Sequence, residues 1–244
     1  MKDLVFDMKV RIIFNKDAQD KKLHIGWGVS FLVDGKVLFD TGEKGAWLTE
    51  NMENLGVEIN EIRAVVISHD HWDHTGGLWD LLKNKEGLKV YVCANVSGKL
   101  KNKIKESKGV LEEAKGTIEI SKNIFLTGEN EGEYKGEYLF EQALVAKTDR
   151  GISLITGCAH PGIIKMLKEV KNDFPKEAIY AVFGGFHLVN EKDESITAIV
   201  DEFKRKGVKK AGPTHCSGDV AEEIFKLRYK DDFLQMETGR ELEI

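Results

Sequence analysis

Three histidines and two aspartates occupy the six consecutive positions 69–74, within the segment SHDHWDHTGG. The whole chain contains seven histidines, so this short segment holds almost half of them. Imidazole and carboxylate groups are costly to crowd together unless a positive charge lies between them. Both groups are ligands of zinc, iron and manganese. The segment therefore predicts a metal site.

The order of the residues divides these candidate ligands into two adjacent pairs. In extended backbone, side chains two positions apart point to the same side, so His69 and His71 should point together. The chain then turns, and Asp73 and His74 come at the start of the next helix. A polar helix cap with incidental histidines is the alternative, but this spacing is far more specific than a lone short motif.

Apolar runs along the chain predict alternating strands and helices. Strands are expected at 8–15, 28–33, 36–40, 64–68, 88–93, 117–127, 138–147, 151–156, 178–183 and 208–211, and helices at about 75–84, 95–106, 162–172, 193–206 and 218–229. Asp34-Gly35 predicts a two-residue hairpin turn between the second and third strands. The lysine- and glycine-rich segments 101–116 and 128–137 are expected to be exposed loops or a lid.

Three further histidines each follow a predicted strand. They are His160, His187 and His215, and only His24 lies outside this pattern. Three strands that end in glycine-rich turns with a histidine indicate one edge of a sandwich where polar groups converge. Gly184 and Gly185, which precede His187, are expected to let a ligand approach the backbone closely, because they have no side chains.

Composition restricts the class of protein. The 244 residues suit one domain built of two similar halves, about 1–127 and 128–244. No apolar stretch reaches the ~18 residues of a membrane span, and Asp3 and Asp7 interrupt any signal peptide, so a cytoplasmic protein is expected. A net charge of −5 without a long basic block disfavours nucleic acid as a partner.

The cysteines and the charged residues give less specific indications of the class of protein than the histidines do. Cys93, Cys158 and Cys216 are odd in number and form no CxxC pair, which argues against a disulfide framework. Cys158 and Cys216 each lie close in sequence to a candidate ligand histidine. Each could be a soft metal ligand, a redox-sensitive thiol or a small buried residue that packs behind the site. Charged residues make up 32% of the chain against about 25% typically, a bias that fits a thermophile.

The histidine segment belongs to a set of motifs that resembles a known family. HDHWDH (69–74) resembles the HxHxDH signature of the metallo-β-lactamase fold superfamily, and the resemblance extends over nearly the whole chain. VLFDTG (37–42) resembles the first motif of that family, which implies that Asp40 orients the metal loop. The fold implied is of the α/β (α+β) class, a four-layer αβ/βα sandwich of two similar halves.

The resemblance also implies which residues bind metal. GCAH (157–160) resembles the third motif, so the first metal is expected on His69, His71 and His160. PTHCSG (213–218) offers the last-motif histidine, so Asp73, His74 and His215 are expected to bind the second. Two divalent ions are implied, with zinc favoured over iron or manganese.

One departure from the family pattern concerns the aspartate that bridges both metals in most members. Between His160 and His215 the only aspartates are Asp173, Asp193 and Asp201, and all of them fall in predicted helices or at their ends. His187 lies near the position expected for the bridging group. Loss of the carboxylate should favour an anionic bridge from the substrate, such as a phosphate or diphosphate. His187, if it is not itself a metal ligand, is then expected to contact that anion. A structural turn residue is the alternative.

GCAHPG, GGFH and THCSG together resemble one branch of the superfamily. Its members are related to the synthase that joins a dihydropterin-methyl diphosphate to ribofuranosylaminobenzene phosphate in methanopterin biosynthesis. The motifs therefore favour a metal-dependent hydrolase or transferase acting on a phosphorylated or diphosphorylated small molecule. Asp73, as ligand and proton acceptor, and His187 are the expected catalytic residues.

Other functions stay open. A thioester or lactone hydrolase of the same fold usually keeps the missing aspartate. A di-iron protein that reduces oxygen or nitric oxide normally has glutamate at the second loop position, where this chain has His71. A metal-binding protein without catalysis is the alternative outside the enzymes. Nothing in the sequence predicts the oligomeric state.

Overall fold

Two β-sheets form the centre of the computed structural model, which describes residues 7–244. The first sheet has seven strands in the order β15-β1-β2-β3-β4-β5-β6. They are β1 (Lys9–Phe14), β2 (Ser30–Val33), β3 (Val37–Phe39), β4 (Ala64–Val66), β5 (Lys89–Cys93), β6 (Val110–Ala114) and β15 (Glu241–Glu243). Strands β3 to β6 run parallel to one another, and the other pairings are antiparallel.

The second sheet has six strands in the order β14-β13-β12-β11-β8-β7. They are β7 (Ile118–Ser121), β8 (Ile124–Leu126), β11 (Leu144–Thr148), β12 (Gly151–Thr156), β13 (Ile179–Gly185) and β14 (Lys210–Thr214). The three strands β12, β13 and β14 are parallel. A separate antiparallel hairpin consists of β9 (Asn130–Tyr134) and β10 (Glu137–Glu141). Strands β7 and β8 thus pair in the sheet of the C-terminal half, while β15 completes the first sheet.

The described part of the chain contains seven α-helices. They are α1 (Gly45–Asn54), α2 (Trp72–Thr75), α3 (Leu78–Asn84), α4 (Gly98–Glu106), α5 (Ile163–Asp173), α6 (Asp193–Arg205) and α7 (Asp219–Tyr229). All of these helices but α2 pack on the outer faces of the sheets. Short 3-10 turns lie at Ile59–Glu61, His215–Ser217 and Lys230–Asp232. Within residues 7–244, no helix has the length and apolar content needed to cross a membrane.

The side-chain alternation of the strands produces four layers. In β3, Val37 and Phe39 face the second sheet, whereas Leu38 faces the helices of the first half. Between the sheets, the rings of Phe31 and Phe183 meet edge to face with centroids 5.9 Å apart. Each such buried aromatic or aliphatic side chain stabilises the fold by about 1.5–3 kcal/mol. The order of layers is helix, sheet, sheet, helix, which confirms the predicted αβ/βα sandwich.

Helix α5 illustrates why the outer layers form. Four of its five apolar residues recur with the spacing of one helical face and are buried against the second sheet: Ile163, Met166, Leu167 and Val170. The predicted hairpin turn is also present. Asp34 and Gly35 both have positive φ, and the Lys36 N–H donates to the Val33 carbonyl at 3.0 Å.

Several sequence predictions about local structure were wrong. The segment 101–116 is not an exposed loop, because it contains the end of α4 and the strand β6. Strand β6 lies at the edge of the first sheet and exposes much of its length, so it lacks the apolar alternation that marks an inner strand. The segment 128–137 is not a loop either, because it forms β9 and the start of β10, but the prediction that it acts as a lid stays open. The helix expected at 75–84 begins at Leu78, after the separate turn α2.

The parallel strands deliver the candidate functional residues to one edge of the sandwich. Asp40 follows β3, the histidine segment follows β4, and His160, His187 and His215 follow β12, β13 and β14. Because parallel strands of one sheet end at the same side, each half contributes a row of loops to this edge. The two rows meet there, since rings of His69 and His160 lie 4.9 Å apart between centroids.

Candidate metal centre

Asp40 connects the two ends of the histidine segment. Its carboxylate accepts hydrogen bonds from the backbone N–H and the hydroxyl of Ser68, both at 2.7 Å, and its Oδ2 lies 2.6 Å from Nδ1 of His74. Asp40 is fully buried and has a left-handed backbone with φ of 56°. Because Nδ1 of His74 is engaged with Asp40, its Nε2 is the nitrogen directed toward the other candidate ligands.

The first set of candidate ligands is His69, His71 and His160. Nε2 of His69 lies 2.9 Å from Nδ1 of His71, and one ligand atom from each of the three residues lies within 4.8 Å of the others. The hydroxyl of Ser68 lies 2.9 Å from Nδ1 of His69 and fixes the orientation of that ring. Both ring nitrogens of His160 are shielded from solvent and lack a hydrogen-bond partner.

The second set of candidate ligands is Asp73, His74 and His215. Oδ2 of Asp73 lies 3.4 Å from Nε2 of His74 and 3.2 Å from Nε2 of His215. The Gly28 N–H donates to Nδ1 of His215 at 3.2 Å, so the other ring nitrogen faces the aspartate. The two sets are adjacent, because the rings of His69 and His74 lie 4.2 Å apart between centroids.

These distances fit the ligand spheres of divalent metal ions. Two ligand atoms bound to one tetrahedral zinc at about 2.0–2.1 Å lie about 3.3 Å apart. The separations of 2.9, 3.2 and 3.4 Å are close to that value. The unpartnered nitrogens of His160 fit as well, because a buried polar atom without a hydrogen bond needs another partner. Both sets can therefore hold a metal ion.

The protonation states of the ligands differ between the two sets. Burial lowers the pKa of His69 well below its ordinary value, and burial with the nearby His187 lowers the pKa of His160 to about 3. Burial opposes the charged form of His74 as well, but the charge and hydrogen bond of Asp40 outweigh it and raise the pKa of His74 well above its ordinary value. Burial likewise disfavours the Asp73 carboxylate, yet the close contacts with the rings of His215 and His74 hold its pKa far below its usual range.

His187 lies beside the first set. Its ring centroid is 4.4 Å from that of His160, the side chain is half-buried, and its backbone φ is 52°. The nearby Cys216 thiol raises its pKa. The three aspartates considered as bridging groups lie elsewhere in the fold. Asp173 ends α5, Asp193 begins α6, and Asp201 pairs with Arg228.

The expectation for Gly184 and Gly185 was wrong. A Cβ atom at Gly184 would lie 2.1 Å from the Thr156 carbonyl oxygen, and one at Gly185 would lie 2.2 Å from the Gly157 carbonyl oxygen. The absence of side chains therefore allows β12 and β13 to pack closely at their ends. It does not open the backbone to a ligand.

Glu141 organises the loop that carries His160, and the sequence analysis missed it. Its carboxylate accepts three hydrogen bonds of 2.8 Å, from the backbone N–H groups of Cys158, Ala159 and His160. The residue is fully buried, which raises its pKa to about 7 despite these bonds. A single glutamate at the end of an apolar run gives no sign that it faces inward, so the sequence contains no usable signal for this role.

Tyr134 on the β9–β10 hairpin is a second residue that the sequence analysis missed. Its ring centroid lies 4.8 Å from that of His71, 5.0 Å from that of His160 and 5.8 Å from that of His187. The hairpin thus covers one side of the candidate metal centre. Between the hairpin and residues 95–97 lies a cavity of about 460 Å³, whose lining includes His71, Tyr134 and Tyr138.

Comparisons with known proteins agree with this geometry. The chain matches the Metallo-beta-lactamase superfamily over residues 28–228. It is 30% identical to the 7,8-dihydropterin-6-methyl-4-(beta-D-ribofuranosyl)-aminobenzene-5'-phosphate synthase of Methanocaldococcus jannaschii, in an alignment that covers 87% of this chain and 88% of that protein. It is 29% identical to an uncharacterized protein of the same organism, with 95% of this chain and 98% of that protein covered.

A solved structure extends the comparison to three dimensions. The crystal structure of Tm1679, described as a metal-dependent hydrolase of the beta-lactamase superfamily, is 31% identical in sequence. It superimposes with a TM-score of 0.82 over 97% of this chain and 99% of its own. One family accounts for the matched motifs, the four-layer sandwich and the two sets of donor residues. This chain belongs to the metallo-beta-lactamase superfamily.

Proposed function

We propose that the protein is a metal-dependent hydrolase or transferase that acts on a phosphorylated or diphosphorylated small molecule through two metal ions, most simply zinc. The observation that carries this proposal is the pair of adjacent donor sets. His69, His71 and His160 would hold the first ion, and Asp73, His74 and His215 the second. Two bound divalent ions supply stabilisation of a developing negative charge and an activated water at neutral pH.

The protein's own groups hold and orient the reacting species. Asp40 and Ser68 fix the ligand rings through hydrogen bonds, so that the donor atoms are positioned before any ion binds. The Asp73 carboxylate is ionised, since its pKa is held low by His215 and His74 against the effect of burial. It would therefore act as a ligand and accept a hydrogen bond from the reacting water, which orients the proton to be transferred.

The charge of the site favours an anionic substrate. The two donor sets contain one carboxylate, Asp73, and five imidazoles, which carry no charge once they bind a metal, so the charge of two divalent cations stays largely uncompensated by these sets. A phosphate or diphosphate group provides the missing negative charge. His187 lies at the rim beside His160, where its N–H group can donate to a phosphoryl oxygen and stabilise charge in the transition state.

The rest of the substrate would lie in the cavity under the hairpin. Tyr134, Tyr138 and Phe140 give this cavity an aromatic wall, and His71 places one end of it at the metal centre. Such a wall suits a planar ring system. The name of the Methanocaldococcus jannaschii synthase includes the planar dihydropterin and aminobenzene rings, a ribofuranosyl ring and a phosphate. We therefore infer a substrate that joins a ring to a phosphate or diphosphate group.

The state of the thiols supports a proposed location in the cytoplasm. All three cysteines are buried and unpaired, and buried reduced thiols are typical of the cytoplasm. We accordingly place the protein there.

A substrate comparison tests the proposed activity. Zinc-loaded protein is assayed against bis(4-nitrophenyl) phosphate, a pterin-methyl diphosphate, an acyl thioester and an acyl homoserine lactone. We expect turnover of the phosphorus compounds, inhibition by inorganic phosphate and diphosphate, and loss of both in His71→Ala. His24→Ala is the matched control, because His24 pairs with Glu50 away from the donor sets.

Two results would contradict the proposal. Turnover restricted to the thioester or the lactone, without anion inhibition, would indicate a carbonyl-directed hydrolase. No turnover of any compound by fully loaded, folded protein would favour a metal-binding protein without catalysis.

A further inference from the structure

Cys158 lies at the centre of the donor cluster. It is in the turn that follows β12, two residues before His160, and only 4% of its surface is exposed. Its backbone N–H is held by Glu141 at 2.8 Å, which fixes the position of the side chain. Its Sγ lies 3.3 Å from Nε2 of His74, the nitrogen that Asp40 directs toward the site.

The Cys158 sulfur is close to ligands of both sets. It forms donor clusters with His69 and His74 and with His160 and His187, and in each cluster the ligand atoms lie within 4.8 Å of one another. A third cluster of the same size joins it to His215 and Cys216. One atom within reach of four ligand histidines, two from each set, occupies the position of a group shared between two ions.

No carboxylate competes for this position in the described part of the chain. The donor clusters of residues 7–244 contain one carboxylate, Asp73, which belongs to the second set. The buried carboxylate of Glu141 is turned toward the backbone N–H groups of Cys158, Ala159 and His160. Cys216 is the other thiol nearby, but it occurs in one cluster only, and its sulfur lies 3.7 Å from the Cys158 carbonyl oxygen.

We propose that the Cys158 sulfur, as a thiolate, bridges the two metal ions from the buried side of the centre. This rests on the two-ion site of the proposed function. On binding, the thiol proton passes to solvent and the sulfur contributes one negative charge. The spacing is suitable, since a sulfur at about 2.3 Å and a nitrogen at about 2.0–2.1 Å from one tetrahedral zinc lie about 3.5 Å apart. The open side of the centre, toward His187 and Tyr134, stays available to substrate.

A sulfur bridge has a consequence for metal choice. Thiolate is a soft ligand that favours zinc, whereas a site of carboxylate and water suits manganese or magnesium. The bridge would therefore make both positions selective for zinc. It would also restore part of the negative charge that the missing aspartate supplies in other members of the superfamily.

Spectroscopy of the loaded protein tests the bridge directly. X-ray absorption at the zinc edge of the two-zinc wild type should show a sulfur scatterer at about 2.3 Å, and the cobalt form should show a sulfur-to-cobalt charge-transfer band in the near ultraviolet. Cys158→Ser should lose both signals and bind its second ion at least about ten-fold more weakly. Cys93→Ser, which removes another buried thiol, should keep both signals.

The outcomes separate this inference from the proposed function. Two zinc ions without a sulfur scatterer in wild-type protein would overturn the bridge alone, and this measurement needs no folded variant. Retention of the signals in Cys158→Ser, or their loss in Cys216→Ser in place of Cys158→Ser, would also overturn it. Wild-type protein that binds fewer than two ions would instead refute the two-ion site.

Discussion

Oδ2 of Asp40 lies 2.6 Å from Nδ1 of His74, between a strand end of the first sheet and the last residue of the histidine segment. Both side chains are completely buried. The contact leaves Nε2 of His74 as the nitrogen that can bind a metal, and it raises the pKa of the ring although burial opposes this. The second donor set therefore depends on a residue that is not itself one of its donors.

Asp40→Asn should weaken the second metal site. The amide keeps the size of the side chain but lacks the charge that orients His74, and loss of such a partner typically reduces metal affinity by about 10–100-fold. Competition with a chromogenic chelator measures this change. Asp34→Asn is the control, since Asp34 also follows a strand with positive φ but is exposed in a hairpin turn. Equal affinities in Asp40→Asn and wild type would show that the contact does not organise the site.

Glu141→Gln should destabilise the loop that carries His160. A neutral amide oxygen cannot replace a carboxylate that accepts three backbone N–H groups, and each buried donor left unpaired costs about 1–3 kcal/mol. The free energy of unfolding from urea titration of metal-free protein should fall by that order, and the first metal should bind more weakly. Glu137→Gln on the exposed start of the same strand β10 should change neither quantity. If the first metal site bound its ion with unchanged affinity in Glu141→Gln, Glu141 would not be needed to position His160.

The two sites should differ in proton release. His69 and His160 have lowered pKa values and are neutral at pH 7, so a metal need not displace a proton from them. His74 has a raised pKa and is protonated in the metal-free protein, so the second site must release at least one proton. Affinity of the second site should then rise with pH, up to about ten-fold per unit below the pKa of His74, whereas that of the first site stays flat near neutrality.

Calorimetry in two buffers of different protonation enthalpy measures this difference. Both variants are made in a Cys158→Ser background, so that ionisation of that thiol does not contribute to the proton count. His215→Ala then isolates the first site and His71→Ala isolates the second, so each titration reports one set of ligands. Equal proton release from both variants, or second-site affinity that falls as pH rises, would contradict the assigned protonation states.

His187→Ala should keep both metals and lose turnover together with inhibition by phosphate and diphosphate. The reason is that His187 lies beside the first donor set without being needed to complete it. Metal content and anion inhibition are measured on the same preparation, with His24→Ala as the control. A variant that loses a metal would identify His187 as a ligand. One that keeps activity and inhibition unchanged would identify a structural turn residue.

Local patterns in the sequence predicted most of the strands and helices and the histidines that meet at the site, whereas the four-layer sandwich was predicted from the resemblance to the superfamily. Apolar alternation marked the inner strands, and the histidines at strand ends had to converge once β12, β13 and β14 were parallel. Glu141 and Tyr134 could not be predicted in the same way. Their roles depend on which backbone groups and rings the folded chain brings to them. The edge strand β6 was missed because its exposed glutamates obscure any strand pattern.

Measuring the number of metal ions per chain tests whether each of the two donor sets binds one ion. Wild-type protein, His71→Ala and His215→Ala are saturated with zinc, freed of excess metal, and measured by inductively coupled plasma mass spectrometry, with folding checked by circular dichroism. A centre built from two donor sets predicts about two ions per chain in the wild type and the loss of about one in each folded variant. The two-ion centre would be contradicted if both folded variants retained the full metal content of the wild type, or if the wild type held a single ion.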